Sequence, residues 1–262
     1  MTTLRKRDEI LTADELRQRL ADDPRQAARV IVSAAGEGLP EAQLLLGQIL
    51  LDGRGIERDP SLARRWFGIA AASGDAMACN MLGRCLEHGW GGAVDSPAAA
   101  QQYRRAAAAG LDWAMYNLAG LLARGHGVEE DQQAAFAWYL RAAELGHAKA
   151  MNLVGRYYEE GLAVERDARV AVDWYRRSAE AGDFRGQFSY ASVLAQQGQV
   201  AEAVTWLEQA LAGGNLNFLR VCRSGLLAAP QAEIRALAPA YYARAAELGD
   251  DTDRLAQSEL LR

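Results

Sequence analysis

Glycine recurs at positions 38, 74, 110, 146 and 182, each 36 residues after the last, and then at 214 and 249. A fixed period of this length constrains the fold more than any local propensity. It marks a supersecondary unit copied in tandem, and such a unit hides its apolar face only by stacking on its neighbours. Other columns keep the same register. Aspartate stands at 23, 59, 95, 131 and 167, and alanine at 27, 63, 99, 135 and 171. An aromatic pair recurs as Trp66-Phe67, Trp138-Tyr139 and Trp174-Tyr175, with half of it kept in Gln102-Tyr103 and looser versions in Trp206-Leu207 and Tyr241-Tyr242.

Each unit reads as two helices. The first, such as EAQLLLGQILL at 41–51, carries apolar residues at helical spacing and runs into a glycine (Gly53, Gly89, Gly125, Gly161, Gly198) that can adopt the left-handed conformation of a helix end. A short loop follows, and the recurring aspartate then caps the second helix, its carboxylate accepting from free backbone N–H groups. Pro24 and Pro60 come directly after that aspartate, where a missing N–H costs nothing. The alanine columns let helices approach closely, and the aromatic pairs are expected to fill the gaps between units, with Trp138 a core residue. Seven units follow: a short one at 12–38, opened by a capping box of Thr12 and Glu15, four regular ones at 39–74, 75–110, 111–146 and 147–182, and two irregular ones at 183–214 and 215–249. The expected fold is a right-handed all-α superhelical solenoid over 12–249. Residues 250–262 form a polar-faced capping helix, and residues 1–11 a mobile arm.

Composition removes several classes of function. The net charge of −5 argues against a nucleic-acid-binding face. No apolar run reaches the ~18 residues of a membrane span, and the basic start MTTLRKRDEI is followed by no apolar stretch, so a cytoplasmic protein is expected. Cys79, Cys85 and Cys222 form no Cys-x-x-Cys pair, and buried, inert thiols are the expectation. Lysine occurs only at positions 6 and 149, against a large excess of arginine, a bias that a GC-rich genome explains.

At these residues the chain resembles the Sel-one-like repeat (SLR) family, a branch of the tetratricopeptide-like solenoids. The pattern Ala-x-x-x-Leu-Gly, Gly-x-Gly-Val, Asp, Ala, Trp-Tyr, Ala-Ala, Gly is carried by Ala42, Leu46, Gly47, Gly53, Gly55, Asp59, Ala63, Trp66, Ala70, Ala71 and Gly74, and again by Ala114, Leu118, Gly125, Gly127, Val128, Asp131, Ala135, Trp138, Tyr139, Ala142, Ala143 and Gly146. Ala119 replaces the helix glycine, Ala163 replaces the second loop glycine, and the unit at 183–214 lacks the long loop. The resemblance implies an adaptor or scaffold that binds other proteins; charge, hydropathy and the motifs point to no cofactor or metal and no nucleic-acid or membrane partner. It also implies that the first helices line a concave face.

Three positions of each first helix, spaced i, i+3 and i+7, share one stripe. They read Glu41, Met77, Trp113, Lys149, Arg185, then Leu44, Asn80, Tyr116, Asn152, Phe188, then Gln48, Arg84, Gly120, Arg156, Ser192. These columns change character between units, unlike the packing columns, as a surface fitted to an external partner does. Met77, Asn80, Arg84, Trp113, Tyr116, Lys149, Asn152, Arg156, Arg185 and Phe188 are therefore the candidate partner-binding residues. Asn offers both a donor and an acceptor to a peptide backbone, Arg forks onto carboxylates, and Trp and Tyr are typical interface anchors. The arrangement is similar to a peptide-carboxylate clamp and points to a partner segment with an acidic group or a C-terminus. The alternative is that Arg84 and Arg156 pair internally with Glu87 or Glu159. Other roles stay open: a structural subunit joined through its convex face or ends, or a β-lactamase-like hydrolase, although the paired cysteines of that subgroup are missing. No catalytic constellation is present: GRG, GWGG and GHG belong to repeat loops, His88, His126 and His147 have no metal spacing, and His147 occupies the helix-start column of Asp75 and Asp183.

Overall fold

The computed structural model describes residues 22–260, so the 1–11 arm and the Thr12–Glu15 box lie outside the described residues. Every regular element among the described residues is helical. They fall into two compact units, one ending at Asp131 and one starting at Gln132. The first holds α1 (Pro24–Gly36), α2 (Pro40–Asp52), α3 (Pro60–Ala72), α4 (Ala76–His88), α5 (Ser96–Ala108) and α6 (Asp112–Arg124). The second holds α7 (Gln132–Glu144), α8 (Ala148–Glu160), α9 (Ala168–Glu180), α10 (Phe184–Gln196), α11 (Val200–Gly213), α12 (Leu216–Leu227), the single turn α13 (Ala232–Arg235), α14 (Ala238–Leu248) and α15 (Asp251–Leu260).

Side-chain caps set the helix starts. The backbone N–H of Gln26 donates to Asp23 at 3.0 Å, that of Leu62 to Asp59 at 2.9 Å, that of Ala98 to Asp95 at 3.0 Å and that of Val170 to Asp167 at 3.1 Å. First helices use the neighbouring column. Ala78 N donates to Asp75 at 2.6 Å, Gly186 N to Asp183 at 2.9 Å, and Ala150 N to His147 Nδ1 at 3.2 Å. His147 is therefore a helix cap, an acceptor at a position where the other units use a carboxylate.

First helices α2, α4, α6 and α8 close on Gly53, Gly89, Gly125 and Gly161 in the left-handed conformation. In α10 the cap is Gln197, and Gly198 follows it with φ 81°, one residue later than the sequence columns place the end. Gly214 and Gly249 fall 32 and 35 residues after their predecessors and have an extended backbone, which marks where the regular repeat stops.

Two glycine columns are contact points. A Cβ on Gly55 would sit 2.0 Å from the carbonyl oxygen of Pro24, and one on Gly91 2.1 Å from that of Pro60, so each loop lies on the start of the preceding unit's second helix. Ala163, in the same column, keeps the left-handed backbone at φ 58°, the only non-glycine to do so among the described residues. Within units, the helix glycine receives the second-helix aromatic. A Cβ on Gly47 would meet the Phe67 ring at 2.5 Å, one on Gly83 the Tyr103 ring at 2.6 Å, and one on Gly155 the Tyr175 ring at 2.6 Å. The ring that fills the core is therefore the second member of each pair and packs inside its own unit. Trp66 and Trp138 are only half-buried, which corrects the expectation that Trp138 is a core residue; Arg141 stacks on its ring at 5.6 Å, and Tyr139 is the buried partner.

α15 closes the second unit through Asp253, whose carboxylate is fully buried and accepts from Arg220 Nε, Arg220 Nη2 and Arg223 Nη1. Arg220 also reaches Asp250 at 3.3 Å. These charge-assisted bonds hold a short, mostly polar helix against α12 with little apolar burial.

Candidate functional site

In the first unit, α4 and α6 present Met77 and Trp113 to solvent at 38% and 45% exposure, and Tyr116 is half-buried. Asn80 is buried, and its Oδ1 accepts from Asn117 Nδ2 at 2.9 Å. Two turns along, Arg124 reaches Glu87 at 3.4 Å. Both links join residues 37 apart, not 36, because neighbouring first helices meet on their flanks. Asn117 and Arg124 thus belong to this surface; the 37-residue step was the signal for them, and the 36-residue columns hid it.

Arg84 pairs with neither expected carboxylate. Its guanidinium lies over the Trp90 ring at 4.9 Å and its Nη1 is 3.8 Å from Met81 Sδ. Glu87 is occupied by Tyr103, whose hydroxyl donates to it at 2.8 Å, and the same bond recurs from Tyr175 to Glu159 at 2.6 Å. Burial and the adjacent carboxylates push both phenols well above their usual pKa, so they stay protonated donors. These carboxylates are structural acceptors, which corrects their assignment as partners of Arg84 and Arg156.

In the second unit, α8 and α10 pack side by side. Lys149 is half-buried and Arg185 exposed, with the Arg185 guanidinium 4.7 Å from the Phe184 ring. Both cations act on the Asp183 carboxyl, although burial prevails and raises its pKa. Arg156 is exposed and makes a loose pair with Glu160 at 3.7 Å, an exposed i,i+4 contact of small energetic weight. Asn152 is buried, and its Oδ1 has no hydrogen-bond partner among the described residues. Phe188, half-buried, meets Phe218 edge to face at 5.7 Å.

No cluster of metal-ligating side chains occurs among the described residues. His126 lies 3.1 Å from the Ser96 hydroxyl while His88 stacks on Trp90 at 5.0 Å, so the two are held by different partners. The three cysteines are free and buried, and burial pushes the Cys85 thiol up to about 11 and the Cys222 thiol up to about 12. No helix among the described residues is long and apolar enough to cross a membrane.

The sequence profile of the Sel1 repeat matches residues 40–75, 76–111, 114–147, 148–183, 196–215 and 236–250. The chain belongs to the Sel1 repeat family. Its fold is the all-α repeat solenoid of that family, shared with a Sel1 repeat protein from Oxalobacter formigenes (TM-score 0.74, 26% identity, 94% of this chain and 100% of that one). It is also similar to c5321, a protective antigen with an SLR fold from uropathogenic Escherichia coli (TM-score 0.67, 27% identity, 95% of this chain), of which it spans 56%. The immunity protein Pa5087 of Pseudomonas aeruginosa shares the fold at 14% identity and TM-score 0.53, over 80% of this chain and 81% of that one. No curated protein matches the sequence. Protein–protein interaction is the general role of Sel1 repeats, and the matched units place this chain in that class.

Proposed function

We propose that this Sel1 repeat protein is a non-catalytic adaptor or scaffold that takes a partner segment carrying an acidic group or a C-terminus on the first-helix face of its second unit. One observation carries the reading: exposed Arg185 on α10 and half-buried Lys149 on the adjoining α8 both act on the Asp183 carboxyl, so two cations gather at one end of this packed helix pair. A carboxylate arriving at this end would meet both cations through charge-assisted bonds. The Met77 and Trp113 surface of the first unit supports the same class of function through exposed apolar area.

The test is quantitative capture from the source cell with the intact chain, the Lys149→Ala/Arg185→Ala double variant and an Arg65→Ala control, read by mass spectrometry. A partner retained by wild type and control but lost from the double variant is expected. Equal retention by all three would remove the second-unit face from the function.

A further inference from the structure

The stripe that begins at Arg185 does not end at Phe188. Continuing at helical spacing along α10 it passes Ser192 and reaches Ala195 and Gln196. There it opens into a cleft of about 260 Å³ walled by Phe188, Leu207, Leu226 and Ile234, with Gly225 on its edge. The cleft exists because the seventh unit is irregular. After α12 the chain turns through Pro230 into the extra single turn α13 before its second helix α14, and Gln231 is tied back by its Nε2 to the Ala195 carbonyl at 3.1 Å. Ile234 and Leu226 form a buried apolar floor. The Ser192 hydroxyl beside the cleft is already engaged, since its Oγ donates to Phe188 O at 2.9 Å. The floor thus suits an apolar side chain, and the volume fits one aromatic ring.

We infer that this cleft and the Lys149–Arg185 end form one composite site for an extended peptide, which sets a large apolar residue in the cleft and a carboxylate three to five residues away at the cations. The inference rests on the adaptor reading above and adds a second specificity element and a spacing. Ser192 and Ala195, on the far half of the cleft wall, lie seven to ten residues of α10 from Arg185, or about 10–15 Å at the helical rise. An extended peptide covers that distance in three to five residues at ~3.3 Å each. Charge fixes the polarity of the match, because the cations lie at the Arg185 end, whereas the cleft floor is apolar.

The probes are fluorescein-labelled peptides with one Phe and a C-terminal Asp separated by zero, three or eight Gly/Ser residues, measured by fluorescence anisotropy on the intact chain. The three-residue spacer should bind at least tenfold tighter than the other two. Gly225→Leu should remove that advantage by filling the cleft edge. A Cβ at 225 meets no atom within 4 Å, so the variant keeps its fold, checked by thermal melting. Arg185→Ala should weaken the same peptide about tenfold. Affinity that ignores spacing and survives Gly225→Leu, or no binding by any of the three peptides, overturns the composite site. If in that case Arg185→Ala still weakens a bound peptide, the adaptor reading stands without the cleft; dependence on Gly225 without dependence on Arg185 instead refutes the acidic end of both.

Discussion

Replacing Gly83 by Ala sets two effects of opposite sign against each other. In an open helix interior the change stabilises by roughly 0.5–1 kcal/mol, because glycine loses more backbone entropy on folding. At 83 the new methyl would lie 2.6 and 2.8 Å from two Tyr103 ring carbons, about 1 Å inside a comfortable carbon–carbon separation. The ring has little freedom to retreat: Tyr103 is fully buried and its hydroxyl is held by Glu87 at 2.8 Å. Overpacking of this kind costs about 1–3 kcal/mol, so a net loss of about 1–2 kcal/mol is expected. Urea unfolding followed by circular dichroism measures it, with native-state hydrogen exchange on α4 and α5 because stability in stacked repeats is local. Gly68→Ala is the matched control. It lies inside α3 with no atom within 4 Å of its Cβ site and should gain the propensity term alone. In a Tyr103→Ala background, Gly83→Ala should turn from destabilising to stabilising, a coupling of at least about 1 kcal/mol. A single Gly83→Ala variant as stable as the Gly68→Ala control would refute the assignment of this column as a ring seat.

The other predictions concern the closing helix, the loop and the thiols. Asp253→Ala should cost about 3 kcal/mol, the low end for breaking a buried ion pair because Arg220 can turn to solvent; hydrogen exchange of α15 should report it first, and unchanged α15 protection would contradict the lock. The same carboxyl has its pKa lowered to about 2, first by the hydrogen bond from Arg220, against about 3.9 unfolded. Its contribution is therefore complete above about pH 4 and disappears as the pH falls through 2, so α15 should detach in acid while staying docked at pH 5. Ala163→Gly should stabilise by about 1 kcal/mol by relieving a left-handed alanine, seen as a higher urea midpoint. Cys85 and Cys222 should resist iodoacetamide at pH 8 until the chain unfolds, since their raised pKa values leave almost no thiolate; rapid labelling of the native protein would show that these thiols are not enclosed as described.

The repeat fold was legible in the sequence because its determinants are local and periodic. Asp23, Asp59, Asp95 and Asp167 cap their own helices within three residues, and Gly53, Gly89, Gly125 and Gly161 end theirs through their own backbone angles. His147 could be assigned as a cap by its column alone. What the columns could not give was anything decided between helices. Trp138 and Tyr139 are adjacent in sequence, and only packing shows that Tyr139 is the buried one. Arg84 had two carboxylates in reach by spacing, but Tyr103 took Glu87 and a Trp90 face took the guanidinium. The flanking step of 37 residues, the empty acceptor of Asn152 and the cleft over Ile234 arise where helices meet sideways or where the repeat fails. Sequence by itself determined the repeat period, most of the caps that start and stop the helices, and the family, because each of those is set by neighbours a few residues away. Which side chains remain available to a partner was decided only by tertiary structure, since availability is what is left after every competing contact has been made.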